Sequence, residues 1–451
     1  MRVLTFPRVF GFVLLLLAVS LAAVFTARGD LAWTAGFIFL AYDTWLLSRL
    51  ILWSRRALND GGGSPQPAVE SSAARPTITV LVPARNEAVI LPACLDALLS
   101  QDDQPERLLV IDDGSEDGTA QMLAARYPQV EVWSKPSTGK AKSFNEILPR
   151  CETDLVVTID ADTVLDAGSL RAIRETFSRD ANLVAGCGVL RPRCQGGWLS
   201  GYFEFFQRYE YLRAFLWRLA WSRKNALVLV SGAFAVYSRE VLEKLGGFDE
   251  ESWVEDYEVL YRLHRMSGET ESRWRVGVIP GARAVTDAPG RPGQFLRQRA
   301  RWFGGFITTL FTNRDMVGNG RYGAMGRTLL PVKTVDTLLP FFAATTQLSL
   351  IYLLVRGGVL DGLVLTVLIG KFLLDLSLHA WALRLYHRWL GIPLTARVLF
   401  QSLLASILEP FCFQPLRYTG ALSGWLAFLR RRLTWESQRL AASSLPAREG
   451  N

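Results

Sequence analysis

The chain has 451 residues, of which 50% are hydrophobic and 20% are charged. This composition excludes a disordered chain and a collagen-like chain, because it can bury a sizeable apolar core. The 50 Lys and Arg residues outnumber the 42 Asp and Glu residues, which gives a net charge of +8. A nucleic acid, an anionic membrane surface or a phosphate-bearing substrate could each complement this charge, so its position along the chain has to decide.

The N-terminal region is strongly apolar. Residues 9–27 form a run of 19 uncharged residues, which is long enough as a helix to cross a hydrocarbon core of about 30 Å. A cleaved signal peptide is the alternative, but a second apolar stretch follows at residues 31–53. We therefore predict a transmembrane hairpin over residues 1–56. Basic residues flank both of its ends, which places both ends in the cytoplasm.

The middle of the chain has the pattern of a soluble domain. Residues 57–76 are rich in glycine and proline and predict a flexible linker. From there to residue 310, short β-rich runs alternate with helix-like stretches, which predicts a parallel sheet with helices on both faces. The predicted strands are residues 78–82, 108–111, 130–133 and 155–159, and the predicted helices are residues 87–99, 119–126 and 169–177.

Residues 311–451 are apolar again and end in a basic tail. Two further spans are predicted at residues 337–355 and 362–383. The last apolar segment, residues 398–429, is interrupted by Glu409-Pro410 and by Arg417. It therefore favours a re-entrant or interfacial segment with a cytoplasmic tail, and a fifth span is the alternative.

One predicted span carries three ionisable residues on one helical face. Lys371, Asp375 and His379 are spaced by four, and Asp43 in the second apolar stretch is a candidate partner. Ionisable groups inside lipid face protein or water. They indicate either a passage for an acceptor or polymer, or an ion pair that locks two helices.

The five cysteines form no CxxC pair and no zinc-like spacing with the three histidines. Scattered cysteines of odd number are typical of a reducing compartment, in which each thiol is a small buried hydrophobe. We therefore expect neither a disulfide scaffold nor a zinc site.

Three of the predicted strands end in acidic residues. Glu87 follows the first strand, Asp112 and Asp113 end the second, and Asp160 and Asp162 end the fourth. Each alone is typical of a turn or a helix cap, but ligands of open α/β sheets bind beyond the carboxyl ends of the strands. Two carboxylates at this spacing suit Mg²⁺ or Mn²⁺ with substrate phosphate oxygens. Neither a complete P-loop motif nor a GxGxxG motif is present, which disfavours both of those nucleotide-binding sites.

The order of the motifs resembles that of membrane-embedded family 2 glycosyltransferases, a group that includes bacterial cellulose, hyaluronan and poly-N-acetylglucosamine synthases. The resemblance covers about residues 77–310. It implies an α/β domain of the GT-A fold, the Rossmann-like fold of nucleotide-diphospho-sugar transferases, inserted between transmembrane helical hairpins. The matching motifs are Pro83-Ala84-Arg85-Asn86-Glu87, Asp112-Asp113-Gly114-Ser115, Gly139-Lys140 with Asn145, Asp160-Ala161-Asp162, Ser231-Gly232-Ala233-Phe234, Glu255-Asp256 and Gln298-Arg299-Ala300-Arg301-Trp302.

On the donor side, the resemblance implies a wall for the uridine and a site for the diphosphate. The implied uridine-binding residues are Pro83, Glu87 and Asp113, with Asp112 assisting. The two carboxylates of the DxD motif, Asp160 and Asp162, would bind the diphosphate through Mg²⁺ or Mn²⁺. Arg301 would contact the diphosphate, and Lys140 is either a further diphosphate ligand or a solvated surface lysine.

On the acceptor side, Asp256 is similar to the general base that deprotonates the acceptor hydroxyl. A single displacement by that hydroxyl would invert the anomeric centre. The resemblance also assigns Glu255, Gln298 and Trp302 to the acceptor, and an indole stacked on a sugar ring is physically sensible. Because Gln298, Arg301 and Trp302 fall within one helical turn, they can converge on one site.

The resemblance therefore implies inverting transfer of a sugar from a UDP-sugar to an acceptor hydroxyl at the cytoplasmic face of the inner (plasma) membrane. A chain shorter than the cellulose synthases favours a processive synthase of the poly-N-acetylglucosamine type. The alternatives are a membrane enzyme that adds one or few sugars to a lipid acceptor, and a catalytically silent polysaccharide-binding scaffold. Expected partners are the UDP-sugar, a carbohydrate or lipid-linked acceptor, the bilayer and an accessory membrane subunit. We expect no nucleic acid, because the arginines cluster at the membrane ends.

Overall fold

The computed structural model describes residues 5–26, 33–59, 75–355 and 362–430. Most of the predicted linker, residues 60–74, lies outside these ranges, and so does the predicted basic tail at residues 431–451. All five cysteines lie within the described ranges and are free thiols, four of them buried. The expectation that each thiol is buried is therefore wrong for Cys412, which is exposed.

An eight-stranded mixed sheet forms the core of the described chain, with the strand order β3-β2-β1-β4-β7-β6-β8-β5. Four strands, β3, β2, β1 and β4, are parallel, as predicted. In the other half, β6 and β8 are also parallel to each other. The prediction of a parallel sheet is wrong for β7, which pairs antiparallel with both β4 and β6, and for β5, which pairs antiparallel with β8. The strands are β1 Ile78–Ala84, β2 Arg107–Asp113, β3 Glu131–Lys135, β4 Leu155–Ile159, β5 Val164–Leu165, β6 Leu183–Cys194, β7 Phe234–Ser238 and β8 Arg275–Ala288.

Helices connect the parallel strands, because a parallel crossover needs a long connection. Residues 119–126 and the strand at 155–159 are predicted with the bounds that the structure has. The first predicted helix begins later, at Leu91, with Pro92 in its first turn. The helices of this part are α3 Leu91–Leu99, α4 Thr119–Arg126, α5 Lys140–Ile147, α6 Ser169–Arg179, α7 Ser200–Arg223, α8 Arg239–Lys244, α9 Glu255–Glu269 and α10 Pro292–Thr312.

The strand order reverses direction at β1, whose neighbours are β2 on one side and β4 on the other. From β1 the chain runs outwards to β2 and β3 and then returns to β4. In open α/β sheets, ligands bind at such a switch point, beyond the carboxyl ends of the strands. The acidic strand ends singled out in the sequence therefore lie at the edge where a ligand is expected.

Apolar helices lie at both ends of the chain. Three described helices contain segments long and apolar enough to cross a membrane, Phe6–Ala23, Gly36–Ala57 and Leu365–Leu390. The predicted span at residues 337–355 stays a prediction, because the side chains of residues 350 and 353–355 lie outside the described part. These helices are α1 Phe6–Thr26, α2 Thr34–Ala57, α11 Leu330–Val355, α12 Gly362–Leu390, α13 Ala396–Cys412 and α14 Gln414–Arg430.

The last two helices, α13 and α14, meet at a bend of 53°. They are long and apolar enough to cross a membrane only when the two are taken together. Glu409 is 5% exposed and accepts hydrogen bonds from Arg213 and Arg417. The interruption seen in the sequence is therefore a bend with buried ion pairs. Both a re-entrant segment and a broken span remain compatible with it.

The ionisable residues on α12 are paired within the protein. The Lys371 ammonium lies 2.9 Å from the Asp43 carboxylate on α2 and also binds Asp375. His379 packs edge-on against the ring of Tyr209 on α7, with 5.3 Å between ring centroids. These contacts give α12 ionic and aromatic attachments to α2 and α7, which agrees with the interpretation of an ion pair that locks two helices.

Candidate active site

A buried carboxylate at the end of β2 holds the loop that leads into α5. One oxygen of Asp113 accepts hydrogen bonds from the Thr138 N–H (2.8 Å) and the Ser143 hydroxyl (3.1 Å). The other accepts from the Gly139 N–H (2.9 Å) and the Ser137 hydroxyl (3.2 Å). Gly139 has a φ of 97°, a conformation that favours glycine. Asp113 thus fixes the residues immediately before Lys140.

The other residues predicted to bind uridine lie along the same edge. Asp112 caps the turn after β2, where its Oδ1 accepts from the Ser115 N–H at 3.0 Å. Glu87 is half-buried, and its N–H donates to the hydroxyl of Thr119 at 3.0 Å. Pro83 is half-buried near the end of β1. These residues sit at the switch point of the sheet, and their role towards uridine stays a prediction.

Lys140, at the start of α5, lies between residues predicted for the donor and residues predicted for the acceptor. Its ammonium lies 2.6 Å from Asp160 Oδ1 and 3.5 Å from Glu255 Oε1, and it donates to the carbonyl of Gly232 at 3.2 Å. Burial lowers the pKa of Lys140, but Asp160 and Glu255 outweigh burial and the net shift is upwards. The side chain is 19% exposed. The interpretation of Lys140 as a solvated surface lysine is therefore wrong.

Asp256 lies in the first turn of α9, behind Glu255. Its Oδ2 accepts a hydrogen bond from the Gly232 N–H at 2.7 Å. Burial and the neighbouring Glu255 raise the pKa of Asp256 to about 6, although Lys140, the Gly232 N–H and Arg301 lower it. A carboxylate in this state is ionised at neutral pH and basic enough to accept a proton. Lys140 and Arg301 are thus positive neighbours of Asp256, but burial outweighs their effect on its pKa.

Asp160 and Asp162 follow β4, at the carboxyl edge of the sheet. Asp162 accepts hydrogen bonds from Thr286 (3.2 Å) and Thr163 (3.3 Å). Burial, Asp160 and Asp287 raise the pKa of Asp162 to about 7. Burial is the largest of these causes, and a bound cation would offset the repulsion between Asp162 and the two neighbouring carboxylates.

A divalent ion would nevertheless need ligands from outside the chain. No group of three or more His, Cys, Asp or Glu side chains within the described ranges is arranged to hold a metal. Two carboxylates that complete their coordination with diphosphate oxygens and water are a usual arrangement for Mg²⁺. Asp160 and Asp162 are therefore suited to a metal that arrives with the donor.

The residues of the Gln298–Trp302 motif lie on α10 and have different surroundings. Arg301 Nη1 donates to the carbonyl of Trp253 at 2.9 Å, which ties α10 to the segment just before Asp256. Gln298 is 7% exposed, and its Oε1 lacks a hydrogen-bond partner. Trp302 is half-buried, with the Arg299 guanidinium over its ring.

Three residues of this site, Gly232, Asn145 and Asp287, were given no role in the sequence analysis. The peptide of Gly232 contacts both Lys140, through its carbonyl, and Asp256, through its N–H. A Cβ at Gly232 would lie 3.0 Å from Asp256 Oδ2, so a larger residue there would push this carboxylate away. Asn145 bonds both backbone groups of Phe248 and so orders the segment that precedes α9. Asp287 adds negative charge near Asp162. Gly232 and Asn145 stand in matched motifs, which is the signal that could have found them, whereas no motif contains Asp287.

The family described as Glycosyltransferase like family 2 matches residues 76–305. The chain belongs to this family. The match includes β1 to β8 and most of α10, and therefore every residue of the site described above.

Relatives of this glycosyltransferase include bacterial polysaccharide synthases. The chain is 24% identical over 292 residues to a poly-beta-1,6-N-acetyl-D-glucosamine synthase of Staphylococcus epidermidis, covering 63% of this chain and 66% of the relative. It is 25% identical over 249 residues to the synthase of the same name from Staphylococcus aureus (strain COL), covering 52% of this chain and 58% of the relative. The chain thus spans somewhat less than two thirds of the length of these relatives.

A solved structure of similar fold is the mannosyltransferase PcManGT from Pyrobaculum calidifontis, in complex with GDP-Man and Mn²⁺. The two share 22% identity with a TM-score of 0.56, and the match covers 84% of this chain and 99% of the other. At this identity the likeness concerns the fold alone. It confirms the expected GT-A fold.

Proposed function

We propose that this chain transfers a sugar from a UDP-sugar to an acceptor hydroxyl with inversion, as a processive synthase of the poly-N-acetylglucosamine type. The observation that carries the proposal is the position of Lys140, which contacts Asp160 on the donor side and lies beside Glu255 and Asp256 on the acceptor side. The names of the staphylococcal relatives support the product class.

In the proposed reaction, Asp256 removes the proton of the acceptor hydroxyl as the hydroxyl oxygen bonds to the anomeric carbon. The bond from that carbon to the diphosphate oxygen breaks, and its electron pair leaves with UDP. Attack opposite the leaving group inverts the anomeric centre. Lys140 and Arg301 are positive groups that would stabilise the negative charge developing on the diphosphate. The Gly232 N–H holds Asp256 in place through its 2.7 Å hydrogen bond.

Asp160 and Asp162 would hold Mg²⁺ or Mn²⁺ together with the diphosphate. When bound, such an ion neutralises charge on the leaving nucleoside diphosphate. The raised pKa of Asp162, which lies buried beside the carboxylates of Asp160 and Asp287, supports this assignment. On the uridine side, Pro83, Glu87, Asp112 and Asp113 form the proposed wall, and on the acceptor side, Gln298, Trp302 and Glu255 are the proposed contacts.

We also propose the arrangement in the membrane. Residues 1–56 form the first hairpin, residues 57–76 a linker, residues 77–310 the cytoplasmic catalytic domain, and residues 311–451 the interfacial and transmembrane helices with a basic tail. The three apolar helical segments that could cross a membrane support a multi-pass protein of the plasma membrane. An accessory membrane subunit is a further proposed partner.

The test is a UDP-release assay on the full chain in detergent, with UDP-N-acetylglucosamine as donor and other UDP-sugars as comparison. We expect Mg²⁺- or Mn²⁺-dependent release of UDP and a long carbohydrate product. Asp256→Asn should abolish release, whereas Glu251→Gln, which changes an exposed acid outside the site, should not. Absence of release with every donor would favour the silent scaffold and overturn the proposal.

A second candidate function, transfer of one or few sugars to a lipid acceptor, is favoured by a partly open apolar cavity. The cavity has a volume of about 250 Å³ and lies among α2, α7, α10 and α11. Its lining is largely apolar and includes Leu46, Trp221, Phe306 and Val332. Tyr257, the neighbour of Asp256, also lines it. An acyl or isoprenoid chain suits such walls better than a hydrated glycan does.

Extraction of the reaction product separates the two candidates. A lipid-linked product with one or few sugars partitions into chloroform-methanol, whereas a free polymer stays in the water phase. Ala214→Trp would fill the cavity between α7 and its neighbours. The lipid-acceptor function predicts that this variant loses transfer to a lipid acceptor while it keeps transfer to a water-soluble saccharide.

A further inference from the structure

Five side chains of alternating charge are connected by ion pairs. The last of them, Arg299, stacks on Trp302. Glu210 lies between two arginines, with Arg299 Nη2 at 2.7 Å and Arg417 Nε at 3.3 Å. Glu409 likewise lies between two arginines, with Arg213 Nη2 at 2.5 Å and Arg417 Nη1 at 2.9 Å. We call these five residues the arginine–glutamate chain. It connects α7, α10, α13 and α14.

The ion pairs of Glu210 and Glu409 are largely shielded from solvent. Both glutamates are nearly buried, with Glu210 13% and Glu409 7% exposed at the side chain. Arg299 is 11% exposed. Ion pairs at the surface contribute little, whereas a buried charge that loses its partner is costly. Each glutamate therefore constrains its arginines to one place.

Arg299 is enclosed by Glu210, by two aromatic rings of its own helix and by the backbone of α14. Its guanidinium carbon lies 4.6 Å from the ring centroids of both Phe295 and Trp302, which are one turn before and one turn after it on α10. Its Nε is buried without a hydrogen-bond partner, as expected for a guanidinium stacked between two rings. Where α14 crosses, a Cβ at Gly420 would lie 2.5 Å from Arg299 Cβ, so only glycine allows this approach.

We propose that Arg299 is a positioning residue, which fixes the indole plane of Trp302 for the acceptor and couples that plane to the bent α13–α14 pair through Glu210 and Arg417. The proposal rests on the acceptor role proposed for Trp302. The Arg299 guanidinium covers one face of the Trp302 indole. The ion pair with Glu210 prevents that guanidinium from moving. The bend between α13 and α14 brings Glu409 and Arg417 to one side, and thereby completes the arginine–glutamate chain.

The first experiment measures the position of the indole without any substrate. The full chain is labelled with 5-fluorotryptophan in detergent, and the Trp302 fluorine signal among the 14 tryptophans is assigned with Trp302→Phe. We expect Arg299→Met to shift or broaden that signal beyond its line width. Arg297→Met is the matched control, because it also removes one arginine of α10, but one whose side chain is exposed and lies outside the arginine–glutamate chain. The control should leave the signal unchanged.

The second experiment measures acceptor use, with UDP-N-acetylglucosamine as donor and a β-1,6-linked N-acetylglucosamine pentasaccharide as the acceptor probe. Loss of a desolvated cation–π contact predicts a rise in acceptor KM of roughly 5- to 30-fold for Arg299→Met. The donor KM should change less than about twofold. Arg299→Lys keeps the charge but not the planar stack, so its acceptor KM should lie between that of the parent and that of Arg299→Met.

A double-mutant cycle decides whether Arg299 acts through Trp302. In a Trp302→Leu background, Arg299→Met should add less than about twofold to the acceptor KM. Full additivity would overturn the proposal, and so would a Trp302 fluorine signal that Arg299→Met leaves unchanged. Trp302→Leu with an unchanged acceptor KM would instead contradict the acceptor role of Trp302 itself. The fluorine experiment tests the positioning even if UDP-N-acetylglucosamine is not the donor.

Discussion

Asp113 and Asp256 are carboxylates of the same domain with opposite surroundings. Asp113 accepts four hydrogen bonds, two from backbone N–H groups and two from hydroxyls. Asp256 accepts a backbone hydrogen bond from the Gly232 N–H, lies beside Glu255, and has its pKa raised to about 6 by burial and that neighbour. A carboxylate whose lone pairs are occupied organises a loop, whereas one left basic can take a proton.

The largest expected effect comes from removing the basic carboxylate. Asp256→Asn should lower turnover by about 10³- to 10⁴-fold, because the amide cannot accept the acceptor proton. The amide oxygen can still accept from the Gly232 N–H, so UDP affinity and the thermal unfolding midpoint should hardly change. Rates of UDP release and calorimetric titration with UDP measure the two quantities. Turnover within tenfold of the parent would contradict the base assignment.

Removing the fully bonded carboxylate should act on stability instead. Asp113→Ala removes the acceptor of two half-buried N–H groups and two hydroxyls, which costs about 1–3 kcal/mol of the free energy of unfolding. The exposed Glu116 offers a control in Glu116→Ala. Chemical unfolding in detergent measures the difference. Unchanged stability with lost UDP affinity would favour the direct uridine contact predicted from the sequence over the loop-holding role.

Lys140 connects the two halves of the site, and its removal should affect both. Lys140→Met removes charge-assisted contacts to Asp160 and the Gly232 carbonyl, and we expect kcat/KM for the donor to fall about 10- to 100-fold. Because Lys140 lowers the pKa of Asp256, the acid limb of the pH profile should also move to higher pH. A fall in kcat/KM without that movement would mean that Lys140 acts on the donor alone.

The smallest effect expected is a shift in the pH profile. Below a pKa of about 6 Asp256 is protonated and cannot act as a base, so kcat/KM should fall tenfold per pH unit there. Glu255 raises that pKa, so Glu255→Gln should move the midpoint to lower pH. Profiles measured at saturating Mg²⁺ or Mn²⁺ avoid interference from Asp162. A midpoint that moves upwards would contradict the electrostatic role of Glu255.

The sequence predicted local elements well and long-range pairings poorly. The strand at residues 155–159 and the helix at 119–126 have their predicted bounds, because alternation and apolar periodicity are local properties. The antiparallel β7 was missed because it pairs with β4 and β6, which are distant along the chain. In the site, Asp160 and Asp256 were found from ordered motifs, whereas the surroundings of Lys140 could not be read from its neighbours in sequence.

The sequence by itself determined the family, the apolar ends and the acidic strand ends, since each is written in residue order or in local composition. Only the tertiary structure decided which carboxylate is bonded and which is basic, because burial and hydrogen bonds bring together residues as distant as Gly232 and Lys140. It also decided the meaning of Glu409 and Arg417, which interrupt an apolar segment in the sequence. Folded against Glu210 and Arg213, they are paired charges in a buried chain.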